Sequence, residues 1–160
     1  EGRYYRCDES LDLLKRICRT FGMVLPGSIS EMSPDYGCFV QAWTVYAMVV
    51  PVVECFAGLR PEAFANRLII NPCIPSEWDK MELTHVRVGD GYIDFSFERR
   101  ENREVYVISS TGDLDIQFIP SKPGKVFVNG VPVVGQIHLG IGTSIVEIIS
   151  LVEESSQEIL

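Results

Sequence analysis

Two periodicities divide the chain. In the first part, to about residue 66, apolar side chains recur at spacings of three and four. Leu11, Leu14, Ile17, Cys18 and Phe21 make one face of an amphipathic helix. Asp8 or Ser10 is placed to cap its start, and Gly22 stands where a helix stop belongs. A second helix is predicted from about Gly37 to Phe56, with Phe39, Trp43, Tyr46, Ala47 and Val50 in one stripe. Val45, Val49, Val52 and Val53 make its remaining faces apolar as well. A helix apolar nearly all round is expected to be buried on most sides, and two helices cannot supply that cover. Pro51 should kink it, and Gly58, just before Arg60-Pro61, should end it. The connection between the helices, Met23 to Gly37, is about fourteen residues where two to eight is usual. Long ordered loops are where binding and catalytic groups tend to be placed.

From about Arg67 the period becomes two. Leu83–Val88 and Tyr92–Glu98 flank Gly89-Asp90-Gly91, a hairpin signal. In the second arm Ile93, Phe95 and Phe97 alternate with Asp94, Ser96 and Glu98, which gives one buried and one wet face. Further strands are predicted at Glu104–Ser109, Asp113–Ile119, Lys125–Val128, Val131–Val134 and Ser144–Leu151, with Asn129-Gly130 as a tight turn. Short strands at this spacing indicate an antiparallel sandwich. The fold class expected is therefore α+β, with helices over residues 1–66, an antiparallel β-sandwich over 67–152 and an acidic tail over 153–160.

Composition changes this picture little. Of 160 residues, 46% are hydrophobic and 22% charged, ordinary for a globular protein. No internal repeat or low-complexity segment appears. The chain begins at Glu1 rather than Met, and its helical part lacks cover, so a C-terminal piece of a longer polypeptide is expected. The longest apolar stretch, Val45–Phe56, is broken by Pro51 and Glu54 and falls short of the roughly 20 residues a membrane span needs. No membrane partner is expected.

A net charge of −8, with no cluster of Lys or Arg, argues against nucleic acid as a partner. A neutral ligand such as a sugar is compatible with that charge but not implied by it. Cys7, Cys18, Cys38, Cys55 and Cys73 form an odd set without CxxC spacing. They are expected to be free thiols, mostly buried, which points to a reducing compartment and leaves localisation otherwise unassigned.

The long loop and the start of the second helix carry the candidate chemistry. They offer Ser28, Ser30, Glu31, Asp35 and Tyr36, followed by Gln41 and Trp43. Aromatic rings stack on the apolar faces of pyranoses, and amides and carboxylates hydrogen-bond hydroxyls. By residue type alone, Glu31 reads as a solvated or capping side chain and Trp43 as core, rather than as site residues. His85 and His138 have no partner at ligand spacing, so no metal site is expected, and no cofactor motif appears. Glu98 to Glu104, a run of both signs, reads as a solvated hairpin tip.

Larger segments carry a resemblance. Pro26-Gly-Ser-Ile-Ser-Glu31, then Tyr36-Gly-Cys-Phe-Val-Gln-Ala-Trp-Thr44, resembles the late barrel region of glycogen-debranching-type amylo-α-1,6-glucosidases. Thr44 stands where that family usually has Ser. Ala57-Gly-Leu-Arg-Pro61 and Leu68-Ile-Ile-Asn-Pro-Cys-Ile-Pro-Ser-Glu-Trp78 are similar to the family's passage from its last helix into a C-terminal β domain. The resemblance covers about residues 22–100, and α-L-rhamnosidases share the layout.

It implies that residues 1–66 close an (α/α)6 catalytic barrel. It implies also an inverting hydrolysis of O-glycosidic bonds by two carboxylates. Glu31 matches the general base, and Tyr36, Gln41 and Trp43 become candidate substrate-binding residues, with Asp35 as a lesser alternative carboxylate. The implied partners are a carbohydrate substrate and the upstream part of the same barrel, which would hold the general acid; this chain alone is expected to be inactive. A second reading is a non-catalytic carbohydrate-binding or structural β module with a helical lead-in. A third is an interaction protein using its apolar helix.

Overall fold

The structure is a computed structural model describing residues 2–31 and 37–150, and it is mixed α+β. The chain divides into two compact units, one from residues 1–60 and 70–77, the other from 61–69 and 78–160.

In the first unit, helix α1 spans Cys7–Cys18 and α2 spans Ala42–Val50. The helix predicted from Gly37 starts later, because residues 37–40 run as bends beside the loop instead of coiling. Pro51 does more than kink α2. It cannot donate into the helical ladder, and the chain widens there into a π-helical stretch, Pro51–Phe56, closed by Ala57 N–H on Val52 O at 3.0 Å. Gly58 then leaves the helix at φ +69, and a Cβ there would lie 2.0 Å from Asn71 O, so no other residue fits. Beyond Gly58 the chain enters strand β1, Leu59–Glu62, within the region expected to be helical.

Asp8 does not cap α1. Arg6 holds that position, and the Asp8 carboxylate accepts a hydrogen bond from Ser76 N–H at 2.7 Å. This bond belongs to a strap formed by residues 70–77. Asn71 N–H donates to Gly58 O at 3.0 Å, Cys73 N–H donates to Phe56 O at 2.9 Å, and Lys15 pairs with Glu77. Tyr5 donates its hydroxyl hydrogen to the Asn71 side chain. A disulfide joins Cys7 to Cys73, with Cα atoms 6.2 Å apart. The expectation of five free thiols is thus corrected: two residues 66 apart in sequence are paired, and the inference to a reducing compartment loses its footing. Of the others, Cys55 is buried, whereas Cys18 and Cys38 are exposed.

The apolar side chains of α1 and α2 fare differently. Leu11 and Leu14 are buried, but no residue of α2 is, and Trp43 is 67% exposed. The near-complete burial expected of the second helix is not found among the described residues.

The second unit carries the sheets. Strand β2 is Arg67–Ile70, and β3 (Lys80–Val88), β4 (Gly91–Arg100) and β5 (Arg103–Ser110) follow as a meander. After them come β6 (Asp115–Phe118), β7 (Gly124–Val128), β8 (Val131–Val133), β9 (Ile137–Leu139) and β10 (Gly142–Ser150). One sheet has the order β3-β4-β5-β10-β7-β8, the other β1-β2-β6-β9. Every neighbouring pair of the larger sheet is antiparallel, as is β6 with β9, and the two sheets are compatible with a sandwich.

Both turn signals hold. Gly89-Asp90 joins β3 to β4, and Asn129 and Gly130, both at positive φ, join β7 to β8 as a type I′ turn requires. Ile93, Phe95 and Phe97 point into the core, where the Tyr106 ring meets Phe95, Phe97 and Phe118 at 5.2–6.0 Å between centroids.

The charge run at the β4–β5 hairpin is not all solvated. Glu104 is only 6% exposed and accepts hydrogen bonds from Tyr106 Oη at 2.8 Å, Lys122 Nζ at 3.0 Å and Arg99 Nη2 at 3.4 Å. Burial opposes its ionisation. The Lys122 and Tyr106 hydrogen bonds and the field of Arg99 outweigh that and hold its carboxyl below the usual range. Burial and the Glu104 charge push the Tyr106 hydroxyl far up, so it stays protonated and donating.

Candidate functional site

The loop expected to bear chemistry is built by short-range backbone bonding. Gly22 and Gly27 take positive φ, and Gly22 N–H donates to Ser28 O at 2.7 Å, closing a turn after α1. Ser28 Oγ is anchored on Leu25 O at 2.8 Å and reaches Phe39 O at 3.3 Å. Two strand-like segments then pair: Glu31 N–H donates to Cys38 O at 2.9 Å, and Gln41 N–H to Ile29 O at 3.0 Å. Ile29 between them is buried and holds the pair in the unit's core.

This ladder places Glu31 at the neck of the loop. Its Oε2 accepts the Cys38 N–H at 3.0 Å, which orients the carboxylate and leaves Oε1 outside that bond. The side chain is exposed and lines an open cavity of about 540 Å³ with Leu13, Arg16, Ile17 and Thr20 of the α1 side, Ser30, and Thr44 of α2. The cavity combines a carboxylate, a guanidinium and three hydroxyls with two apolar side chains. That set suits a polyol, whose hydroxyls both donate and accept. Among the lining residues Arg16 is the sole cation.

Of the sequence candidates, Glu31 and Ser30 reach this cavity. Ser28 is spent on the loop's own backbone. Gln41 is half-buried at the N-terminal boundary of α2, and neither it nor Trp43 is among the lining residues. Thr44, one position after Trp43 and so about 100° further round the helix, takes the place expected of the tryptophan. Tyr36 and Asp35 lie outside the described residues. Arg16, Thr20 and Thr44 join the site without having been candidates. Thr44 ends the segment that carries the family resemblance, but nothing in the sequence marks Arg16, one of several charged residues on α1, or Thr20, which lies just past the end of the helix. Among the described residues no group of three or more His, Cys, Asp or Glu gathers to hold a metal ion, and no helix is long and apolar enough to cross a membrane.

Compared with solved structures, the chain is similar to an α-L-rhamnosidase from Dictyoglumus thermophilum, at a TM-score of 0.50 and 13% identity, over 67% of this chain and 14% of that one. A putative kojibiose phosphorylase from the human microbiome aligns at a TM-score of 0.44 and 15% identity, over 74% of this chain and 15% of that one. No family model and no curated protein matches the sequence. The likeness to the rhamnosidase is one of fold, and the chain spans about one-seventh of that enzyme's length.

Proposed function

We propose that this chain is the C-terminal portion of a glycoside hydrolase, in the amylo-α-1,6-glucosidase or α-L-rhamnosidase group. Its helical part closes the (α/α)6 barrel, and the sheets that begin at β1 form its β domain. The observation that carries this reading is the Glu31 carboxylate, fixed by Cys38 N–H at the mouth of a hydroxyl-rich cavity, within a motif that resembles the family's catalytic segment. The rhamnosidase-like fold supports it.

In this reading Glu31 is the general base of an inverting hydrolysis. It takes a proton from a water molecule, which attacks the anomeric carbon. A general acid roughly 6.5–9.5 Å away protonates the departing glycosidic oxygen from the opposite face. That acid comes from an upstream helix–helix loop of the parent polypeptide. Arg16, Ser30 and Thr44 hydrogen-bond sugar hydroxyls, Thr20, whose hydroxyl hydrogen goes to Ile17 O at 2.7 Å, accepts from one, and Tyr36, Gln41 and Trp43 are further substrate-binding residues once the barrel is complete. The chain alone, holding one of two carboxylates and part of the pocket wall, does not turn over.

The test is Glu31→Gln in the polypeptide that carries this chain, assayed on aryl α-glucosides and α-L-rhamnosides. Loss of a positioned base lowers kcat by roughly 10²–10⁴, and the wild type releases a product of inverted anomeric configuration by proton NMR. A Glu31→Gln protein within tenfold of wild type sinks the assignment. So does turnover by the isolated 160 residues above that of their own Glu31→Gln control.

A further inference from the structure

The outward face of the six-stranded sheet bears a second concave surface. One part, of about 330 Å³, is lined by Lys80, Glu82, Ser96, Glu98, Val105 and Val107 among others. An adjoining part, of about 170 Å³, shares Glu82, Ser96 and Val107 and adds Asp94 and Ser109. The strand register makes these one groove. Lys80 pairs with Glu98 and Glu98 with Val105; Glu82 pairs with Ser96 and Ser96 with Val107; Asp94 pairs with Ser109. The three rows lie two residues apart along the strands, all on one face.

The groove ends in an aromatic platform. Tyr92 continues the row of Asp94, Ser96 and Glu98 on the same face, and the His85 ring stacks on it, with centroids 4.3 Å apart and planes 29° apart. His85 reaches that place through a bulge between Leu83 and Val86, where its own φ is +61. Asp94 Oδ1 accepts the His85 N–H at 2.7 Å and holds this left-handed conformation. Bulges re-aim side chains, and a non-glycine residue kept in the left-handed region is strain retained against a local cost. What the strain achieves here is a pair of stacked rings in line with a groove.

We propose that this groove binds a neutral oligosaccharide chain, with the Tyr92 ring, backed by the His85 ring stacked on it, offering its open face to a pyranose and Glu82, Asp94, Ser96 and Ser109 taking its hydroxyls. Val105 and Val107 give the floor an apolar surface for the sugar's C–H groups. The charge on the face argues for a neutral occupant over a cationic peptide. Glu98 is already paired with Arg100 at 2.6 Å and Lys80 at 3.5 Å, and Arg87 stands opposite Tyr92, so cations already accompany the carboxylates on this face. A phosphate-bearing ligand would meet carboxylates on all three rows of the groove. The choice of sugar rests on the reading of the parent enzyme as carbohydrate-active; the groove itself lies within the β unit, whereas Glu31 lies in the helical one.

The experiment is native gel electrophoresis of the 160-residue chain through gels containing glycogen, dextran or a neutral rhamnose-rich polysaccharide. A non-binding protein of similar size serves as the mobility reference. At least twofold retardation in one of these gels is expected, abolished by Tyr92→Ala and by His85→Gly. Glycine accommodates φ +61 without strain, so the second variant removes a ring while keeping the fold, which thermal melting checks.

No retardation in any gel overturns the proposal, as does retardation that survives both substitutions. Retardation that oligolysine competes away while maltoheptaose does not assigns the groove to a basic peptide and overturns it too. The catalytic reading is separable: a parent that cleaves an aryl glycoside through Glu31 while its β unit fails to bind removes only the groove.

Discussion

The two units treat their large apolar side chains in opposite ways. In the β unit, Phe95, Tyr106 and Phe118 are at most 2% exposed, and the polar partners of the alternation face outward. In the helical unit, Phe39, Val40, Trp43, Tyr46 and Val49 all lie more than half exposed, although α2 contains no charged residue. Period-two alternation is answered locally, because two sheets of one chain cover each other. An all-round apolar helix is answered only by neighbours on several sides, and those neighbours are not among the described residues. The β unit therefore covers its own apolar side chains, whereas among the described residues the helical unit leaves those of α2 exposed.

Substitutions in the two units separate these behaviours. Phe95→Ala empties a site packed against Tyr106 and should cost about 3–5 kcal/mol, read as a lower urea midpoint of the β unit's transition. Cys73→Ser frees the strap from α1. Opening a covalent loop of 66 residues should cost the helical unit about 2–4 kcal/mol and leave the β unit's transition in place. Alkylation of the unfolded, unreduced protein should count three thiols, and five after reduction. A count of five before reduction would remove the disulfide.

A smaller effect, confined to the β unit, is expected from pH. Glu104 has a folded-state pKa below its usual value, so the stability it contributes is complete above about pH 4.3, the ordinary glutamate value. That stability is lost as pH falls from there through the lowered folded-state pKa. Glu104→Gln should flatten this acid limb of the β unit's stability curve. An acid limb as steep in Glu104→Gln as in the wild type would show that other carboxylates carry it.

Much of the β unit is legible in the sequence, because its signals are local. Gly89-Asp90 and Asn129-Gly130 fix their turns through backbone conformations that few residues adopt, and Ile93, Phe95 and Phe97 declare their face by alternation. Ile137-His138-Leu139, which the sequence marks only by a short alternation between Gly135 and Gly140, pairs with β6. Glu104 looks like one more charge at a hairpin tip; its burial depends on Lys122 and Arg99, which no spacing rule brings together.

The candidate site is half legible. Glu31 stands out through its motif, but Arg16 and Thr20 meet it only because the turn at Gly22 folds the loop back along α1. The Cys7–Cys73 pairing is invisible for the same reason, being a contact between distant segments.

The smallest effect expected on this chain is also the one that bears most directly on the contrast between the units. Trp43→Ser removes a ring that is two-thirds exposed, so in the isolated 160 residues it should change stability by no more than about 0.5 kcal/mol. If neighbouring barrel helices cover α2 in the parent polypeptide, the same ring becomes core there, and its loss should cost roughly 3–5 kcal/mol. The comparison needs two urea titrations, one on each polypeptide, each set against its own wild type. Equal, negligible shifts in both would mean that nothing covers the α2 face and that the proposed barrel is wrong. A large shift already in the isolated chain would mean that Trp43 is packed within these residues and that the contrast between the units fails.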